Sequence, residues 1–261
     1  MSEFTNNAEQ RAEELANYMQ ELLQGENGLQ LIEKHALKTS KLIPHDIVGA
    51  FDILMDKQIS IEDLKFVSNK LFNILYQTIL EYPALTPAQG SILDIYTQDN
   101  AVALANLKDM REHIKAINKQ AEVVHVQALM QKLIAFEKFF LHYTVIENVV
   151  FPVLESKWRH HQCVKIMWSF HDDIRRNVRK LIEILETPEI DLQEFNSTCG
   201  LVFFNVNTII LREEKIIFPM LLETLTNEEF ADMLQQTIGI GLPYAELNQV
   251  GLNNKENIFS N

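Results

Sequence analysis

The sequence predicts an all-α protein, and three observations carry that prediction. Gly and Pro number only 8 and 7 among 261 residues, and most fall where a helix would have to stop. Between them Leu, Ile, Glu, Lys and Ala recur at the three-and-four spacing that gathers apolar side chains on one helix face. Capping sequences stand at the starts of several of these segments. Apolar residues make up 47% of the chain, enough to fill a large core.

Taken in order, a first helix is expected from about Ala8 to Gln24, closed by Gly25, and a short second one from Leu29 to His35. A third starts at Pro44, whose fixed φ suits a first turn. A fourth follows Ser60 to Asp63, a capping-box pattern. These helices are read as a small N-terminal domain over residues 1–82. The stretch EYPALTPAQGS, with Pro83, Pro87 and Gly90, opens a linker over 83–98. Longer helices follow near 100–118, 122–156, 162–186 and 192–224. Their breaks are marked by ESKWRHHQC and by TPEIDLQE, where Pro188 stops one helix and Asp191 with Glu194 caps the next. Four helices joined by short turns predict an up-down-up-down four-helix bundle over residues 99–236. Thr226 and Glu229 form another capping box. Residues 237–261, rich in Gly and Asn, are expected to form an extended or disordered tail.

Charge narrows the function classes. The net charge is −13, from 23 basic and 36 acidic side chains, with no Lys/Arg block. Nucleic acid and anionic membrane surfaces both demand clustered positive charge, so neither is an expected partner. The longest near-apolar run, LVFFNVNTIIL, is about half the length of a membrane span, and MSEFTNNAEQ has no signal-peptide pattern. Cys163 and Cys199 stand in unrelated contexts and make no thiolate metal motif, which suits a reducing cytoplasm. No Gly-rich phosphate loop or nucleophile with a positioned His is present, which leaves enzymatic activity without visible machinery.

Stepping along each bundle helix exposes polar residues in apolar rows. The first gives Ala103, Leu107, Met110, His113, Ile117. The second gives Phe139, His142, Ile146, Val149, beside Phe136, Phe140, Tyr143, Glu147, Val150. The third gives Val164, Met167, His171, Ile174, Val178. The fourth gives Phe203, Asn207, Ile210, Glu214, Ile217, with Glu213 on the neighbouring row. An unpaired buried carboxylate or imidazolium costs roughly several kcal/mol, so these groups need compensation. A metal ion supplies it, since imidazole and carboxylate are both metal ligands and bundle interiors bring facing helices together. The alternative is an internal ion-pair network in which Arg175, one turn after His171, neutralises Glu147 or Glu214.

Two segments repeat 67 positions apart, HYTVIENVVFP from His142 and IILREEKIIFP from Ile209. Together with MWSFHDDIR (Met167 to Arg175), they resemble the hemerythrin-like, HHE cation-binding domain over about residues 99–235. HDIVGAFDILMDKQISIEDLKFVSNKLF resembles, more loosely, the small helical domain that precedes this bundle in one bacterial and archaeal subgroup. The resemblance implies one or two non-haem iron ions held by His and carboxylate ligands. Matched position by position, His113, His142 and His171 are the candidate imidazole ligands. Glu147, Glu213 and Glu214 are the candidate carboxylates, Glu147 and Glu214 corresponding across the repeat. The chain departs from the pattern at Ile209, which stands where a His is expected, at Ile146, which takes the usual Glu position, and at Arg175, which replaces another His. Glu147 lies five residues after His142, about 140° round an α-helix from it.

Among the other residues, His125 is expected about 25 Å along the helix from His142, and His160 and His161 in an exposed turn. Tyr143 and Asn207 are expected to support the ligands by hydrogen bonds, and Arg212 to be solvated. The expected function is an iron-binding module sensing oxygen, nitric oxide or redox state, with the N-terminal domain contacting a protein partner. A metal-free interaction protein with a degenerate site, or a haem-binding bundle, are the alternatives.

Overall fold

The computed structural model describes residues 3–35, 42–83 and 85–244, and every regular element among them is a helix. The all-α class follows as the sequence predicts. The helices are α1 (Glu3–Leu23), α2 (Gly28–Lys34), α3 (Pro44–Asp56), α4 (Ile61–Ile74), α5 (Tyr76–Glu81), α6 (Ile92–Lys119) and α7 (Val123–Phe136). They continue with α8 (Phe140–Val145), α9 (Phe151–Lys157), α10 (Cys163–Glu186), α11 (Leu192–Arg212), α12 (Phe218–Thr224) and α13 (Asn227–Ile240). No helix among the described residues is long and apolar enough to cross a membrane.

The chain forms two compact units. The first comprises residues up to Thr86 together with 153–170 and 211–224. Here α1 buries Leu15, Ala16, Tyr18, Met19 and Leu22, a helical stripe, against α3 and α4. A Cβ added to Gly49 of α3 would stand 3.1 Å from the Ala12 Cβ of α1, so glycine is what lets these helices approach. Gly25, at φ +91, ends α1. Asn27 then caps α2 by accepting from the Leu29 and Gln30 N–H groups. Ser60 caps α4 by accepting from Asp63 N–H, as its sequence predicts.

Asp46, in the first turn of α3, gathers three hydrogen bonds. It accepts from Arg11 Nε at 2.8 Å, Arg11 Nη2 at 3.1 Å and Ile43 N–H at 3.1 Å. It is buried. Asp46→Ala is therefore expected to lower stability by about 2 kcal/mol, the scale of a lost charged hydrogen bond that also strips a partner, measurable as a shifted urea midpoint.

The second unit comprises 87–152, 171–210 and 225 onward. Helix α6 begins at Ile92 rather than near residue 100, because Ser91 accepts from Asp94 N–H while Asp94 accepts from Gly90 N–H. Its core is built from Ala103, Leu107, Met110, Phe136, Phe139, Ile174, Val178, Leu181, Phe195, Val202 and Val206. Asp191 caps α11 through Gln193 and Glu194 N–H. Thr226 and Glu229 form the expected capping box at α13. That helix runs past Gln236 to Ile240, into the stretch expected to be tail. Residues 245–261 of the expected tail lie outside the described residues. Tyr96 of α6 and Thr237 of α13 share a buried hydrogen bond of 2.6 Å.

The single helix expected over 122–156 is interrupted. A 3-10 turn (Glu137–Phe139) follows α7, and a π turn (Ile146–Val150) separates α8 from α9. In the π turn Phe151 N–H bonds to the Ile146 carbonyl, five residues back. Pro152 comes next, and its ring would collide with the carbonyl four residues earlier in an α-helix, so the wider turn relieves it. The same device recurs in the second copy of the repeat. Glu213–Ile217 is a π turn, Phe218 N–H bonds to the Glu213 carbonyl, and Pro219 follows.

Candidate metal centre

Five polar residues of the bundle come from four elements of the second unit. Helix α8 contributes His142, the following π turn Glu147, α10 His171 with Arg175, and α6 Asp99. His142 and His171 are wholly buried, and Asp99 is 1% exposed. The five-residue spacing sends His142 and Glu147 to different neighbours, as the angle between them requires. His142 Nδ1 lies 3.9 Å from Asp99 Oδ2. Glu147 turns instead to α10, where His171 Nδ1 donates to Oε1 at 2.9 Å.

Arg175 closes on the same carboxylate with both ends of its guanidinium. Nη1 donates to Glu147 Oε1 at 2.8 Å and Nη2 to Oε2 at 2.9 Å, the two-pronged geometry that makes such pairs strong. Burial alone would raise the Glu147 pKa, but the His171 and Arg175 hydrogen bonds outweigh it and hold the carboxyl below its ordinary value. The ion-pair network foreseen as the metal-free alternative is thus formed with Glu147.

Aromatic rings fix both imidazoles. Phe139 stacks on His142 at 5.0 Å between centroids, and Tyr96 meets it edge-on at 5.9 Å. Tyr143 stacks on His171 at 4.3 Å and Phe151 at 5.8 Å. Neither ring can swing without displacing these neighbours.

The other candidate ligands are His113, Glu213 and Glu214. His113 lies at the other end of α6, about 21 Å along the helix from Asp99, and faces His125 at 3.2 Å between Nδ1 atoms. His113 is half-buried there. Glu213 and Glu214 belong to the first unit, where Glu213 is buried and Glu214 half-buried. The buried row of α11 in the second unit is Val202, Val206 and Ile209. Asn207 is exposed and donates to its own helix at Phe203 O, so it supports no ligand.

Asp99 was missed because the first bundle helix was started too late. Extending its apolar row one turn back from Ala103 reaches Asp99 and Asn100, both buried, so the signal was present. Neither oxygen of Asp99 has a hydrogen-bond donor. A buried carboxylate in that condition calls for a cation or a proton.

Among the described residues no three His, Cys, Asp or Glu side chains converge on one point. Both Glu147 oxygens accept hydrogen bonds, from His171 and Arg175. Asp99 beside His142 does offer one ion a carboxylate and an imidazole, a donor pair suited to iron among other metals. A family model, the hemerythrin HHE cation binding domain, matches residues 91–221. Among curated proteins, none matches the chain.

Proposed function

The chain belongs to the hemerythrin HHE cation-binding family, and from that premise we propose that it takes up one non-haem iron ion at Asp99 and His142 and acts as a sensing module. The observation that supports this reading is the Asp99 carboxylate, buried at 1% exposure with no donor to either oxygen. Iron bound there supplies a redox-active Lewis acid able to respond to oxygen, nitric oxide or reducing conditions. Asp99 balances part of the ion's charge, and Phe139 with Tyr96 holds the His142 ring in place. Arg175 keeps the other half of the site, Glu147 and His171, neutralised and closed. The N-terminal helices are the proposed contact for a protein partner.

The Arg175–Glu147 pair also favours a second reading, in which the bundle is a metal-free interaction protein. Metal content by plasma mass spectrometry, measured after anaerobic iron loading, separates the two. The iron reading expects about one equivalent, lost in Asp99→Asn and His142→Ala and kept in Glu147→Gln. No iron in the unmodified chain would leave the metal-free reading, and a Soret band in the absorbance spectrum would replace both with haem.

A further inference from the structure

Arg212 was expected in solvent and is instead buried in the first unit, at 5% exposure. Its Nη2 donates to Ser68 Oγ at 3.0 Å and Asn69 Oδ1 at 2.9 Å, both on α4. The Phe72 and Phe170 rings lie 4.4 and 4.5 Å from its Cζ. Nε and Nη1 are buried and have no acceptor. No carboxylate pairs with the side chain among the described residues, and burial pulls its pKa down to about 9, which still leaves it charged at neutral pH. Two neutral hydrogen bonds and two ring faces do not replace the hydration a guanidinium loses on burial. What the site lacks is a negative charge.

The same side chain lines a small cavity of about 30 Å³, room for about one water molecule. Ile47, Phe51 and Ile217 supply apolar wall, and the polar side chains on the lining are Arg212, Ser68 and Cys163. Each of the three has a proton to give. A guanidinium only donates, and Ser68 Oγ, which accepts from Arg212, keeps its own hydrogen for another partner. Burial pushes the Cys163 thiol up to about 12, so it brings a weak donor and no charge. A water molecule in such a cavity satisfies its oxygen and leaves its hydrogens poorly placed. A monatomic anion uses every donor and supplies the missing charge. Carboxylates and phosphates exceed the space.

We propose that this cavity is a binding site for a single halide ion, chloride in the cell, held by Arg212 Nε and Nη1 with the Ser68 hydroxyl. The ion is the counter-charge of a buried guanidinium that the chain itself leaves unpaired. Stability of the folded protein therefore depends on chloride as on any ligand selective for the folded state.

Thermal unfolding of the full chain in sodium chloride, sodium bromide and sodium gluconate at equal ionic strength tests this. Matched ionic strength cancels screening, and gluconate is too large to enter. Chloride and bromide are expected to raise the melting temperature by about 3 °C for each tenfold rise in concentration above the dissociation constant, while gluconate gives no such rise. Arg212→Met removes the difference between the salts. Equal melting temperatures in chloride and gluconate would leave water in the cavity and overturn the proposal, as would a chloride response that survives Arg212→Met. Should Arg212→Met fail to fold, chloride-35 magnetic resonance on the unmodified chain decides. Line broadening that bromide reverses supports the site; a line that stays narrow, or broadening that bromide leaves unchanged, overturns it.

Discussion

Arg175→Met is expected to destabilise the folded chain by about 3 kcal/mol, because removing one partner of a buried pair strands the other charge. The stranded group is Glu147, 6% exposed and left with only His171 as a donor. Adding Glu147→Gln to the same chain removes the stranded charge and is expected to recover most of the loss, so the two substitutions are strongly non-additive. Equilibrium urea unfolding of the two single variants and the double variant at neutral pH measures this. Losses that simply add would show that Arg175 and Glu147 do not act as a pair.

The same carboxylate sets a pH dependence. Its folded pKa lies below the ordinary 4.5, so the unfolded state binds the proton more readily. The stabilisation is therefore complete above the ordinary carboxylate range and is lost as pH falls through the folded value. Stability of the unmodified chain is expected to fall more steeply below pH 4.5 than that of Glu147→Gln, where no such proton is taken up.

The second large effect belongs to Tyr143. Its ring is fully buried, stacks on His171 at 4.3 Å, meets Phe139 at 5.0 Å and carries the Arg175 guanidinium at 5.7 Å. Tyr143→Ala is expected to cost about 4 kcal/mol, through lost burial and the cavity left behind. Tyr143→Phe keeps the ring and isolates the hydroxyl. If Phe restores stability and the His171 imidazole proton signals in the nuclear magnetic resonance spectrum, the ring is what positions the histidine; if it restores neither, the hydroxyl is.

Local chemistry was readable where neighbouring residues decide it. Ser60 and Thr226 cap helices because the groups they satisfy lie within the next turn, and Arg175 beside His171 announced a partner for Glu147. The helical rows likewise gave His142 and His171 their inward faces. What they could not give was height along the bundle, so His113 was grouped with His142 although His125 is its neighbour. The π turns were hidden for a related reason. A one-residue change of register leaves no mark on composition, and only the repeated Phe-Pro pointed to it. Arg212 looked like a surface residue beside two Glu, yet its burial depends on Ser68 and Phe72 of α4, more than a hundred positions away.

The Arg175–Glu147 pair also bears on when the protein can exist. A metal domain whose buried ligands are neutralised only by the ion stays unfolded until it is loaded, and its abundance follows metal supply. Here part of that neutralising charge is covalently attached to α10 from the moment of synthesis. The chain is expected to fold without iron, and on the proposed reading Asp99 and His142 would then fill and empty with the available iron. Under that proposal occupancy would vary while the amount of protein does not, which is the condition for a level of iron to be read out as a ratio.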